Sequence, residues 1–122
     1  MAERPQVLLV GFDPRTVPGA DADLVELAIR IGNQRLEEQG LDTTDCLIAL
    51  DDEEAGTQIV DALRSRPWDC VVIGGGIRKP EPFLEMFEKV VNLIRSYAPQ
   101  AAIAFNSNPT DSADAVLRVL RP

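Results

Sequence analysis

The sequence predicts an α/β fold: a three-layer α/β/α sandwich around a four-stranded parallel sheet. Three observations carry this. Short apolar runs alternate four times with longer stretches of helical periodicity. The runs are continuous rather than alternating, the pattern of strands covered by helices on both faces. The chain's 122 residues suit one domain, spanning 1–122, with enough length to bury one core.

The first strand is Val7-Leu8-Leu9-Val10, ended by Gly11-Phe12-Asp13-Pro14. A loop containing Pro and Gly runs to about Ala20, and a helix follows from about Asp21 to Gln39. Leu24, Leu27, Ala28, Ile31 and Leu36 fall near one face of that helix. Asp23 and Glu26 have the spacing of a capping box, and Gly40 is a natural stop. The second strand is about Thr44–Leu50. Asp51-Asp52-Glu53-Glu54 is then expected to open the second helix, because carboxylates suit the positive end of a helix dipole. Ile59, Ala62 and Leu63 form its inner face.

The third strand, Cys70–Ile73, runs into Gly74-Gly75-Gly76. Phe83, Phe87, Val90, Val91 and Ile94 then recur at helical spacing, with Pro82 near the start of that helix and Pro99 just past its end. The fourth strand is Ala101–Phe105, and a last helix runs from about Asp111 to Leu120, capped by Thr110 or Asp111. Trp68 and Tyr97 read as packing residues at helix ends. Right-handed crossovers place helices on both faces of the sheet and give the strand order 2-1-3-4, a flavodoxin-like, Rossmann-like plan. The fourth strand is then an open edge, which pairing into a homodimer would cover.

Twelve basic residues against twenty acidic ones give a net charge of −8. An acidic surface repels phosphate backbones and anionic headgroups, so neither nucleic acid nor membrane is an expected partner. No apolar run is long enough to span a bilayer, and Met1-Ala2-Glu3-Arg4-Pro5 lacks the features of a signal peptide, so a cytoplasmic location is expected. Cys46 and Cys70 lie in apolar stretches and read as buried thiols of a reducing compartment. There is no histidine, which removes the usual general base and the commonest metal ligand.

In an open parallel sheet, ligands bind outside the carboxyl ends of the strands, where the strand order reverses. That point falls between the first and third strands. The candidate ligand-binding residues are Gly11 and Asp13 after the first strand, Gly74, Gly75, Gly76 and Arg78 after the third, and Asn106 and Ser107 after the fourth. The three glycines permit close approach of a ligand to the backbone, and Arg78 and Lys79 add positive charge, which suits a small-molecule anion. The glycines equally suit a tight turn. They match neither G-x-G-x-x-G nor the P-loop pattern. Asp13 with Asp51 and Asp52 could gather on one rim and hold Mg²⁺, or each could cap a turn or helix. No metal site is assigned, no cofactor is named, and Ser107 lacks a base that would make it a nucleophile.

The plan resembles the receiver domains of response regulators in architecture. Receivers carry a phosphate-accepting Asp at the end of the third strand, where this chain has Gly74-Gly75-Gly76, and paired acids after the first strand, where it has Asp13 alone. A second resemblance rests on Asp69–Arg78, Phe87–Arg95, Ala98-Pro99 and Phe105–Asp111. These stretches look like a family of small uncharacterised bacterial and fungal proteins, a likeness that implies the same fold and no particular reaction. The expected function is binding of a polar or anionic small molecule at the carboxyl ends of the first and third strands. The alternative is a non-catalytic, receiver-like regulatory or interaction module acting as a dimer. A third reading is Mg²⁺-dependent phosphotransfer or hydrolysis at Asp13. Whether the chain is an enzyme stays open.

Overall fold

The computed structural model describes residues 4–120. Its strands are β1 (Gln6–Phe12), β2 (Asp42–Ile48), β3 (Cys70–Ile73) and β4 (Ala102–Phe105). Its helices are α1 (Ala22–Glu38), α2 (Ala55–Arg64), a single turn α3 (Gly75–Arg78), α4 (Leu84–Tyr97) and α5 (Ser112–Leu120). Short 3-10 turns at Pro14–Thr16, Glu81–Phe83 and Pro109–Asp111 precede α1, α4 and α5. All neighbouring strands are parallel, in the order β2-β1-β3-β4.

Alternation along the strands divides the core. Leu8 and Val10 of β1, with Val71 and Ile73 of β3, face α2 and α4, where Ile59, Leu63, Val90 and Ile94 are buried. Val7 and Leu9, with Val72, face α1 and α5, where Ile29, Leu36, Ala115 and Val116 are buried. Trp68 closes the first layer. It is 1% exposed, and its indole N–H donates to the Ala62 carbonyl at 2.9 Å, at the end of α2. Tyr97, expected to pack, is instead exposed at the end of α4.

Several local expectations shift for identifiable reasons. The inner face of α1 is rotated: Leu24 and Leu27 are 63% and 43% exposed, whereas Ile29, Gly32 and Leu36 are buried. Gly32 sets this orientation, because a Cβ there would stand 1.9 Å from the Pro109 carbonyl oxygen. Only a glycine lets the turn before α5 lie so close to the α1 backbone. Asp21, not Asp23, caps α1 by accepting from the Leu24 N–H at 3.2 Å. Asp23 and Glu26 instead hold Arg15, at 3.0 and 2.8 Å, which folds the loop after β1 onto the helix.

The acids at 51–54 precede α2 rather than forming its first turn. Asp51 takes a left-handed φ of 63° and Asp52 accepts from the Glu54 N–H at 2.9 Å, so the chain turns here before the helix begins. The chain is capped ahead of the last helix by Asn108 rather than by Thr110 or Asp111: Asn108 is the N-cap of the turn Pro109–Asp111, and Asp111 is its partner in a capping box. Among the described residues, no helix is long and apolar enough to cross a membrane.

Candidate functional site

The site begins with a missing side chain. Val7, Leu9 and Gly11 share one face of β1, and a Cβ at Gly11 would touch only Leu47 Cδ2, at 3.6 Å. The space beyond is a cleft of about 440 Å³ at the carboxyl ends of β1 and β3. A volume of this size is in the usual range for small-molecule sites. Leu9 and Leu47 line it from the sheet, Val25 and Ile29 from α1, and Pro14, Val17 and Ala20 from the loop after β1. The remaining lining comes from Gly11 and Phe12 of β1, from Gly74, Gly75, Gly76, Lys79 and Pro80 after β3 and from Asn106, Ser107, Asn108 and Pro109 after β4.

Of the residues singled out in the sequence, Gly11, Gly74, Gly75, Gly76, Asn106 and Ser107 therefore meet in one cleft. Asp13 and Arg78 stand outside its lining. The Asp13 carboxylate accepts from the Arg15 N–H at 3.0 Å and caps the turn after β1. Arg78 reaches back toward β4. Its Nη2 donates to the Asn106 carbonyl, and its guanidinium lies 5.3 Å from the centre of the Phe105 ring. The apolar half of the cleft was not evident in the sequence, because Leu9, Val25, Ile29 and Leu47 look like ordinary core residues. The available signal was Gly11, an inward-facing glycine in a strand.

The polar end is tightly organised. Asn106 is 2% exposed, accepts from the Gly75 N–H at 3.1 Å and donates to Ser112 Oγ at 3.0 Å. Ser112 Oγ donates in turn to the Pro109 carbonyl at 3.1 Å. Asn106 is thus a clamp between α3 and α5, with its amide engaged at both ends. Lys79 Nζ donates to the Ser107 carbonyl, which ties the loops after β3 and β4 together across the rim. The Asp111 carboxylate accepts from the N–H groups of Ser107 and Asn108, at 2.9 and 3.4 Å. Burial works against that charge, but these backbone donors outweigh it and hold the Asp111 carboxyl below its ordinary value.

The lining combines apolar side chains with one ammonium, the Asn106 and Asn108 amides and the Ser107 hydroxyl. Lys79 is the one ionisable side chain in the lining among the described residues. The thiols lie elsewhere. Cys46 and Cys70 are both buried and unpaired, on strands that flank β1. Burial raises the pKa of Cys46, and burial with the nearby Asp69 charge pushes Cys70 up to about 12, which suppresses the reactive thiolate. Among the described residues, no three acids or thiols gather in a group that could hold a metal ion. Asp13 and Asp52 are engaged in separate turns.

No family model matches the chain, and no curated protein does. Among solved structures, the chain is similar to a crystal structure named "putative lipoprotein from Peptoclostridium difficile 630 (fragment)". The two share 14% identity with a TM-score of 0.52, over 95% of this chain and 94% of the other. At that identity the likeness speaks for the α/β fold alone.

Proposed function

We propose that this protein is a one-domain, flavodoxin-like binding protein for a small molecule whose body is apolar and whose polar end meets the loops after β3 and β4. The observation that carries this reading is the 440 Å³ cleft at the point where the strand order reverses. The sequence suggested a polar or anionic ligand. The lining favours one that is mainly apolar, because Leu9, Val17, Val25, Ile29 and Leu47 offer no hydrogen bonds to replace those a polar body would lose. The net charge of −8 speaks against nucleic acid as a partner, and two unpaired buried thiols favour a reducing, cytoplasmic setting.

The test is a thermal-shift screen of small amphipathic molecules on the wild type and on Gly11→Leu. Gly11 lines the cleft, and a Cβ there meets only Leu47, at 3.6 Å, so the larger side chain would take up cleft volume. A ligand at a hundred times its Kd stabilises a folded protein by about 2.7 kcal/mol. A hit should therefore raise the Tm of the wild type by several degrees and leave the variant unmoved. Hits that shift both proteins equally would overturn the reading.

A second reading is favoured by the open edge of the sheet. Among the described residues no strand lies beyond β4, which ends on Phe105, 42% exposed. On this reading the chain is a receiver-like interaction module that pairs as a homodimer along β4. Sedimentation equilibrium should then find a dimer that Phe105→Asp splits into monomers. A wild type that stays monomeric at every concentration would rule this out.

A further inference from the structure

We infer that the ligand of the cleft is an amphipathic monocarboxylate, with its body between β1 and α1 and its carboxylate at Lys79 on the rim. This rests on the binding reading above and names the chemical class of the ligand.

The first ground is the distribution of charge. The protein carries twenty acidic residues against twelve basic ones, yet among the described residues no acidic side chain lines the cleft, and Lys79 does. The Lys79 ammonium donates to the Ser107 carbonyl and forms no ion pair among the described residues. An ammonium has three donors, so two remain for a ligand. Arg78, the other nearby cation, stands outside the lining: its Nη2 donates to the Asn106 carbonyl and its guanidinium lies over the Phe105 ring, while its Nη1 is buried without a hydrogen-bond partner.

The second ground is where polarity ends. Lys79 is exposed at the rim, whereas Leu9 and Ile29 are 3% and 8% exposed at the inner wall. A molecule that fits both has one charged end near water and an apolar remainder. A nucleotide or sugar phosphate would bring several charges and hydroxyls against side chains that cannot bond them. An uncharged hydrocarbon would leave the ammonium unused. A single carboxylate matches the single cation, and the attraction is worth more beside an apolar wall than in open water.

Octanoate, octanol and octylamine, titrated calorimetrically into the protein, test this. Octanoate should bind at least tenfold more tightly than octanol, and octylamine more weakly than either. Lys79→Met should remove the advantage of octanoate over octanol, and Lys79→Arg should restore most of it. Circular dichroism should show both variants folded. Gly11→Leu should abolish binding of octanoate and octanol together. Octanol binding as tightly as octanoate, or an octanoate advantage that survives Lys79→Met, overturns the monocarboxylate and leaves the cleft as an apolar site. Failure of all three ligands to bind overturns both the inference and the binding reading beneath it.

Discussion

At Gly32 an added Cβ would stand 1.9 Å from the Pro109 carbonyl oxygen and 2.9 Å from its carbon, both main-chain atoms that cannot swing aside. Alanine is the better helix former, and by propensity alone Gly32→Ala would stabilise α1 by about 1 kcal/mol. The clash should reverse that sign. The expected cost is about 3 kcal/mol, the upper end of overpacking, and a fall of more than about 10 °C in Tm by differential scanning calorimetry. The same contact explains why the buried face of α1 could not be read from its leucines. Leu24 and Leu27 are apolar and suitably spaced, but the helix is rolled toward Pro109, far along the chain, and that pairing leaves no local trace. The thiols were easier to place, because Cys70 stands in an uninterrupted apolar strand. With Cys70 pushed up to about 12 and Cys46 raised by burial, neither should react with a disulfide reagent at pH 8 in the native state. Both should react at once in denaturant. Labelling of the folded protein faster than its unfolding rate would contradict that assignment.

Among the elements, the turn before α5 contributes to both the cleft and the fold. Asn108 and Asp111 form its capping box, and Asn108–Pro109 is part of the cleft wall. Removing the Asn108 side chain as Asn108→Ala should cost about 1 kcal/mol of stability, the usual value of a lost cap. Asp111 adds a dependence on pH. Its folded pKa is depressed, so its contribution is complete above the unfolded value of about 4 and is lost as pH falls through the lower folded value. Urea melts of the wild type across that acid range should weaken more steeply than those of Asp111→Asn. Equal slopes would show that the backbone donors do not favour the carboxylate. The strands were legible because β1 and β3 are covered on both faces and therefore continuously apolar. β2 was less so. It runs Asp42–Ile48 rather than Thr44–Leu50, because Asp42 and Thr43 pair with Gln6 and Val7 although their side chains are polar. The turn α3 was not legible at all, since Gly75 and Gly76 are poor helix formers. Local bonds from the Ile77 and Arg78 N–H groups to the Gly74 carbonyl close it, and one tertiary contact, the Asn106 side chain accepting from the Gly75 N–H, fixes its start.

Across the whole molecule, the two layers of core are unequal. The layer under α2 and α4 is filled by Trp68, Ile59, Leu63, Ile77 and Ile94, each no more than 1% exposed. The layer under α1 and α5 has alanines at 104, 113 and 115, and it opens into the cleft between Leu9 and the first half of α1. Unfilled space forfeits contacts on its lining, so stability should be distributed unevenly between the two layers. Hydrogen exchange followed by mass spectrometry should find peptides covering Leu27–Ile31 of α1 opening sooner than those covering Val90–Ile94 of α4. Filling the cleft should narrow the gap, whether by a bound ligand or by Gly11→Leu, because either restores contacts to Val25 and Ile29 and neither reaches α4. Equal protection in both helices would mean that the cleft costs the fold nothing. Protection gained in α4 as much as in α1 would mean that a ligand acts away from the carboxyl ends of β1 and β3, and would move the site from where its lining places it.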